Sequence, residues 1–560
     1  MRKGRSHEYI FINHKKDRAM KKQMMQGKVS YLCTFFLCVA LMISSGCAKN
    51  PVADWPSERE NHNVTEQTRE VALRIHLDAR PSLKSYPEDE REIKKQYHNF
   101  NGLRAVLYTL TPESKPDAVA YVFDLDVRAK RGVYSGRDYD PMSDPLDQLV
   151  ITQNLQLRCD NYHLYVIATP TREIKQATEV GKSFDELQAS MSTEEWYDNS
   201  KQKIQYHTYI NPEAVVLDKA QMEQTALTQV YYTPEVVLKS VAAYVSIDWK
   251  PVIKNPKFQV SSTNICFAPD VVNKKFFLLP SGDNEVEEKA NIFFPIDPNY
   301  TNLAGKTVEE LALEFNYIPP FTKEMEPVHS LPMWSYSHYT QNDDDFVIIP
   351  ENTSSYEDAI GTKVSRIIIG VRVYPIELYS SELESIKETD VDAFKKLSWL
   401  RYKDKYYSMN QWLTKLKEIK AKMGSTSPQN VLTPEEEAIW NCTQTHLATA
   451  IEESSHHSMR RSGLHAEDVD YYYMGRVYYA IPISHLAPEV INQHPKLPGA
   501  YAVVRNTHYK INIKSFATIG VPSPEYISRD IDYNTLRRAK LGTVTISTPT
   551  DRTIEIDELQ

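Results

Sequence analysis

Glycine is scarce in this 560-residue chain, with 17 residues or about 3% against a usual level of roughly 7%. Neither GxGxxG nor GxxxxGK followed by Ser or Thr occurs, so the glycine-rich phosphate cradles of nucleotide-binding folds are excluded. Equally absent are HExxH, GxSxG and an HxE segment followed by CxxC, the compact signatures of several hydrolases and deaminases. Cysteine is sparse too. Cys33 and Cys38 lie in an amino-terminal apolar run, which leaves Cys47 and the widely separated Cys159, Cys266 and Cys442. An exported fold built on disulfides carries an even, clustered set, and no CxxC or Cys/His spacing suggests a metal. The last three are therefore read as small buried apolar residues, with one adventitious pair among them as the alternative. Net charge is −9, which argues against nucleic acid as the main partner.

What is present points to strands. A hydrophobic share of 41% against 25% charged excludes a disordered chain, and 35 tyrosines suit half-buried pleated surfaces. The length fits two or three domains. Residues 31–43 form an apolar run of 13, too short for a permanent span. Lys21, Lys22 and Lys28 precede it and Ser44, Ser45 and Gly46 follow, the layout of a secretory signal. Ser44-Ser45-Gly46-Cys47 resembles a bacterial lipobox, with Cys47 the lipidated first residue of the mature chain. The alternative is an ordinary cleaved signal. The stretch before Met20 is long for such a signal, and Met20-Lys21-Lys22 would make a normal start. Residues 1–47 are thus read as a lipoprotein signal peptide and residues 48–68, polar and without periodicity, as a flexible tether.

Alternating apolar residues predict strands at 71–77, 103–110, 119–127, 155–168 and 236–248, with a short helix near 183–192. A second β-rich block starts near 258 and includes 273–278 and 364–374. From about 381 to 465 the period becomes helical, at 390–399, at 409–423 and after Thr433. There Thr433 caps, Pro434 suits the first helical position and Glu436 closes a capping box. Strands resume at 477–483, 501–504, 509–513, 544–547 and 553–556. This predicts a mainly β fold of two β-sandwich domains, 69–255 and 256–560, with a helical insertion at about 381–465 in the second.

Candidate chemistry is thin. His446, His456, His457 and His465 gather with Arg460 and Arg461, but without a recognised ligand spacing they are read as a solvated helix end. Asp343-Asp344-Asp345 lacks the alternation and glycine of a calcium loop. Glu435-Glu436-Glu437 sits in a first helical turn, where negative charge complements the helix dipole. No catalytic residue, metal or cofactor is assigned, and the chain is not read as an enzyme.

Residues 472–524 carry a more specific pattern. It comprises Ile481-Pro482-Ile483, His485-Leu486, Gly499, Tyr501, Val503-Val504-Arg505-Asn506, Tyr509 and Gly520-Val521-Pro522. With Glu351-Asn352-Thr353 leading into a strand, residues 264–279, and the YHLYVIATPT run within 103–171, it resembles the Bacteroidales fimbrillins. These are subunits of type V pili, here in the branch of the short-fimbria major subunit. The pattern departs at Thr507-His508, and its C-terminal end matches only loosely.

The resemblance implies two transthyretin-like β-sandwich domains and a structural, adhesive subunit of a cell-surface pilus. It implies a lipidated precursor at the outer membrane, cut by a surface protease after an arginine beyond the first strand. A C-terminal strand from another copy or a related subunit then fills the groove. Mapped here, the displaced strand carries Val71, Leu73, Ile75 and Leu77. Burying four such side chains is a gross gain of roughly 6–12 kcal/mol before ordering costs. Arg80 stands at the cleavage position but is followed by Pro81, and Arg91 is the next candidate. The donor residues are Val544 and Ile546, or Ile554 and Ile556. Left open are an anchor subunit that keeps its first strand and a monomeric surface lipoprotein binding glycan or host protein. At both ends the alternative is an ordinary edge strand.

Overall fold

The computed structural model describes residues 67–77, 102–125, 148–198, 203–204, 207–260, 264–281, 296–300, 306–316, 335–338, 346–353, 363–379, 397–424, 432–444, 463–466, 468–485, 501–527, 541–542, 546–548 and 551–556. All lie within the unit Glu66–Gln560. Cys47, Arg80, Arg91, Val544, Asp343 to Asp345, His446, His456 and His457 fall outside the described residues.

The fold is mainly β, as predicted. The first group of strands is β1 (Thr68–Leu77), β2 (Leu103–Leu110), β3 (Pro116–Leu125), β4 (Gln148–Arg158), β5 (Tyr162–Ala168) and β6 (Tyr231–Ser240). The hydrogen-bonded order is β3, β2, β5, Tyr209–Ile210, β6, β1, β4, with Val215–Leu217 also on β5. The path folds back on itself because β6 serves two layers. Its first part pairs with β1, and its last residues, Lys239 and Ser240, pair with Ile210 and Tyr209. Alternate residues then meet across the gap. Val71, Leu73, Ile75, Leu155, Leu157, Val236 and Leu238 share one core with Leu103, Ala105, Leu107, Leu164 and Val166. The other face of β2 and β5, through Val106, Tyr108, Tyr165 and Ile167, packs on Ile174, Leu187, Trp196, Phe276 and Leu278. A strand buried on both faces reads as a largely apolar run, as LRAVLYTL does apart from Arg104 and Thr109.

The second group begins with β7 (Ala242–Trp249), one residue after β6. The expected boundary at 255/256 leaves this strand with the first block. It pairs instead with strands of the second, antiparallel to Phe346–Pro350 and parallel to His508–Ile513. The facing layer is centred on β8 (Arg366–Pro375), flanked by Asn264–Asp270 on one side and β9 (Arg476–Pro482) on the other. The remaining strands are β10 (His508–Ile513) and β11 (Asp551–Ile556). Val245, Ile247, Tyr509 and Ile511 from one layer meet Phe267, Ile367, Ile369, Val477 and Tyr479 from the other. At Gly370 a Cβ would lie 2.6 Å from Cys266 Sγ, so the close approach of two strands fixes glycine there.

Between β8 and β9 stand the helices Met409–Met423 and Pro434–Cys442, each opened by a capping box, on Ser408 and Thr433. The insertion is not purely helical, however. Two of its strands join Leu464–Ala466 and Val469–Tyr472 in a four-stranded sheet, and Trp399, read from its spacing as helical, begins the strand Trp399–Tyr402 and stacks on Tyr472. Other corrections are local. The run 155–168 is two strands, broken where Asn161 N donates to Asp160 Oδ1. Of 501–504, only an isolated bridge at Val503 to Asn352 is present.

Candidate functional site

β1 lies inside its layer. It pairs antiparallel with β4 and parallel with β6, so it is not an edge strand. Its apolar phase is buried as the alternation predicts, with Val71, Leu73 and Ile75 exposed by 0%, 2% and 3%; Leu77 pairs with Leu238 through the backbone. The ladder slips midway. From Val71 to Leu73 the β4 partner moves from Leu155 to Ile151, and from Ala72 to Arg74 the β6 partner moves from Tyr232 to Glu235. Both neighbours therefore bulge around β1, and Ala72 is buried alongside Val71.

Arg69 closes the start of the strand. Its side chain is buried, and Nε donates to the carbonyls of Met222 at 3.1 Å and Thr225 at 3.0 Å. Nη1 donates to Thr68 O at 3.1 Å, and Nη2 to Gln67 Oε1 at 3.2 Å and Glu223 O at 3.4 Å. The carbonyls of Met222, Glu223 and Thr225 lie at the C-terminal end of helix Lys219–Gln224, where the helix leaves acceptors unmatched and favours positive charge. The alternation did not single out Arg69. The available signal was that it shares the odd-numbered phase of Val71, Leu73 and Ile75.

At the other end, β11 pairs in parallel with β10 from His508↔Asp551 to Ile513↔Ile556, so Ile554 and Ile556 stand opposite Ile511 and Ile513. Its other side meets Leu541–Gly542 and Ile546–Thr548. Hence β11 has partners on both sides as well. β10 in turn pairs in parallel with β7, and His508 Nε2 lies 2.8 Å from Ser246 Oγ. Burial depresses the His508 pKa to about 3.

The motif residues hold the junction between the two groups of strands. Arg505 pairs with Glu351 through Nε at 3.0 Å and Nη2 at 2.5 Å, and its remaining donors reach Leu278 O and Phe277 O. Asn506, at φ 53°, accepts from Ser240 N and donates its own N–H to Ala242 O. Tyr509 OH accepts from Val504 N at 3.0 Å and lies 2.9 Å from His485 Nδ1. At Gly520 a Cβ would meet Tyr478 O at 2.4 Å, which accounts for that glycine. The pattern is architectural.

The remaining charged candidates are bound to structure too. Glu435 holds Lys405 and Tyr407, and Glu436 sits 2.5 Å from Lys422 Nζ, which depresses its pKa to about 2. His465 Nδ1 lies 2.5 Å from Asp470, which also holds Arg401. Cys159, Cys266 and Cys442 are buried. Among the described residues no group of three His, Cys, Asp or Glu side chains could hold a metal ion, and no helix is long and apolar enough to cross a membrane.

Residues 470–554 match the family model described as major fimbrial subunit protein type IV, fimbrillin, C-terminal. The match runs through β9, the Arg505-Asn506 turn and β10 into β11. A search of curated proteins found no match. Among solved structures, one named "Putative cell adhesion protein" from Parabacteroides distasonis is 8% identical, covering 88% of this chain and 99% of its own, at a TM-score of 0.38. A fimbrial assembly protein from the same species is 10% identical, covering 55% of this chain and 85% of its own, at 0.25. At such scores the superpositions carry no argument, and the assignment rests on sequence. Through its C-terminal segment the chain resembles the Bacteroidales fimbrillins.

Proposed function

We propose that this protein is a structural subunit of a type V pilus, exported as a lipoprotein through Cys47 and polymerised by exchange of a strand between copies. Its place is the outer-membrane surface and the fimbrium, its partners are other copies and related subunits, and its role is adhesive rather than catalytic. In this reading the strands form two sandwich domains, and a surface protease frees β1 by cutting at Arg80 or Arg91. Arg69 and Arg74 are poor targets, because both lie in a strand paired on each side and a protease needs an accessible extended segment.

One observation carries the proposal. β1 fills the middle of its layer, yet no tight turn joins it to either neighbour, since β4 and β6 follow 71 and 154 residues after its last residue. A strand inserted in this way leaves, when it goes, a slot between β6 and β4. A strand from another chain restores both ladders by β-augmentation. Until then an open slot would invite wrong pairing, so a resident strand protects the precursor. An anchor subunit that retains β1 is the second reading, favoured by Pro81 after Arg80.

The test is deletion of residues 542–560. Native surface extract of the wild type should give an SDS-resistant ladder and the truncated chain none; a ladder of normal length from the truncated chain refutes the donor assignment. Cys47→Ala should abolish fatty-acid labelling, and the N-terminal residue of the surface form separates Arg80, Arg91 and an uncut anchor.

A further inference from the structure

Arg69 occupies a built seat, and the chain carries a second segment patterned to fill it. The seat is formed by the carbonyls of Met222, Glu223 and Thr225 at the end of helix Lys219–Gln224. That helix is fixed at its N-terminal end and along its buried face. Asp218 caps it, Lys219 N donates to Asn161 Oδ1 at 2.9 Å, and Met222 is buried in the core beneath β1. A guanidinium out of water needs acceptors for its donors, so this position tolerates a planar, multi-donor cation and little else. It also fixes register. A slip of two residues would place Arg69 where Val71 meets the core, a buried charge without acceptors.

The beginning of β1 reads Arg69-Glu70-Val71-Ala72-Leu73, with arginine and two aliphatic residues in one phase. β11 repeats this spacing as Arg552-Thr553-Ile554-Glu555-Ile556. The other donor candidate, Val544 and Ile546, has Gly542 at the equivalent position. β1 lies parallel to β6 and β11 lies parallel to β10, so both segments already run in a parallel ladder. We infer that the seat receives Arg552 of a second copy once β1 has left, with Ile554 and Ile556 in the places of Val71 and Leu73. The inference rests on strand exchange and adds its register and its ligand, a strand-borne guanidinium. It selects Ile554 and Ile556 over Val544 and Ile546 as the residues that enter first.

The experiment measures how fast ladders of the processed full-length chain disassemble in SDS at a fixed elevated temperature. Arg552→Ala should speed disassembly about tenfold or more, the effect of losing charge-assisted hydrogen bonds. Arg552→Lys, which keeps charge but not the fork, should fall between. Glu555→Ala, in the opposite phase, should track the wild type. In the uncut monomer Arg69→Ala should accelerate hydrogen exchange in β1 while β2 and β5 keep theirs. A wild-type ladder indifferent to Arg552, or equally weakened by Glu555→Ala, overturns the seat alone. A wild-type chain that never ladders overturns strand exchange and the seat with it.

Discussion

The two terminal strands enter their layers in the same manner but are held differently. Each lies in parallel with a neighbour distant in sequence, β1 with β6 and β11 with β10. β1 is pinned by Arg69, and its neighbours bulge to fit it. β11 has an even six-residue ladder on β10, and its other contacts are short segments close to it in sequence. A strand with a specific side-chain lock suits a place that must be vacated only on command. A strand in an even ladder suits a segment that changes hosts, because nothing in that ladder demands one register beyond its alternating phase.

The largest expected effect comes from locking one end at a time. Arg74 and Glu235 are exposed register partners on β1 and β6, so cysteines at both positions should form a disulfide and abolish laddering until reduced. Cysteines at Asn512 and Glu555 should do the same from the other end; normal ladders from the oxidised form would remove β11 as the donor. Next in size is Arg505→Ala, which leaves Glu351 buried without its cation and should cost about 3–5 kcal/mol in denaturant unfolding of the uncut chain. Leu73→Ala should cost about 3 kcal/mol in the uncut chain through lost burial and a cavity, and almost nothing in the processed polymer if β1 leaves it as proposed.

The smallest effect is on pH. His207 and His508 are buried, each with a pKa depressed to about 3 by desolvation. The folded state therefore binds fewer protons than the unfolded state between pH 6.5 and 3, so stability is full above 6.5 and falls as pH drops through that window. Between pH 7 and 5, His508→Gln should reduce this slope by about 2 kcal/mol, read from unfolding midpoints at each pH.

Much of this was legible because the signal was local. The alternation in 71–77 and 509–513 and the capping box at Thr433 depend on neighbours in sequence, and the elements formed there. What stayed hidden depends on distant partners. The run 236–248 reads as one strand, with neither glycine nor proline to break it. It divides at Val241 because Thr208 O takes Val241 N–H while Asn506, 266 residues beyond Ser240, accepts from Ser240 N and donates to Ala242 O. The spacing around Trp399 is helical, yet a stack on Tyr472 holds it in a strand. In the terminal strands the apolar phase was visible, but the destination of Arg69 was not, since the helix-end carbonyls that receive it lie more than 150 residues away.

The single-residue link at Val241 has a mechanical consequence. In the proposed filament, with β11 given to a neighbour, tension would enter through β6, cross Val241 into β7 and leave from the far end of β10. β7 and β10 run side by side in the same direction over six paired residues. Pulled from opposite ends, they can only slide past one another, so their hydrogen bonds share the load together rather than opening one at a time like a zip.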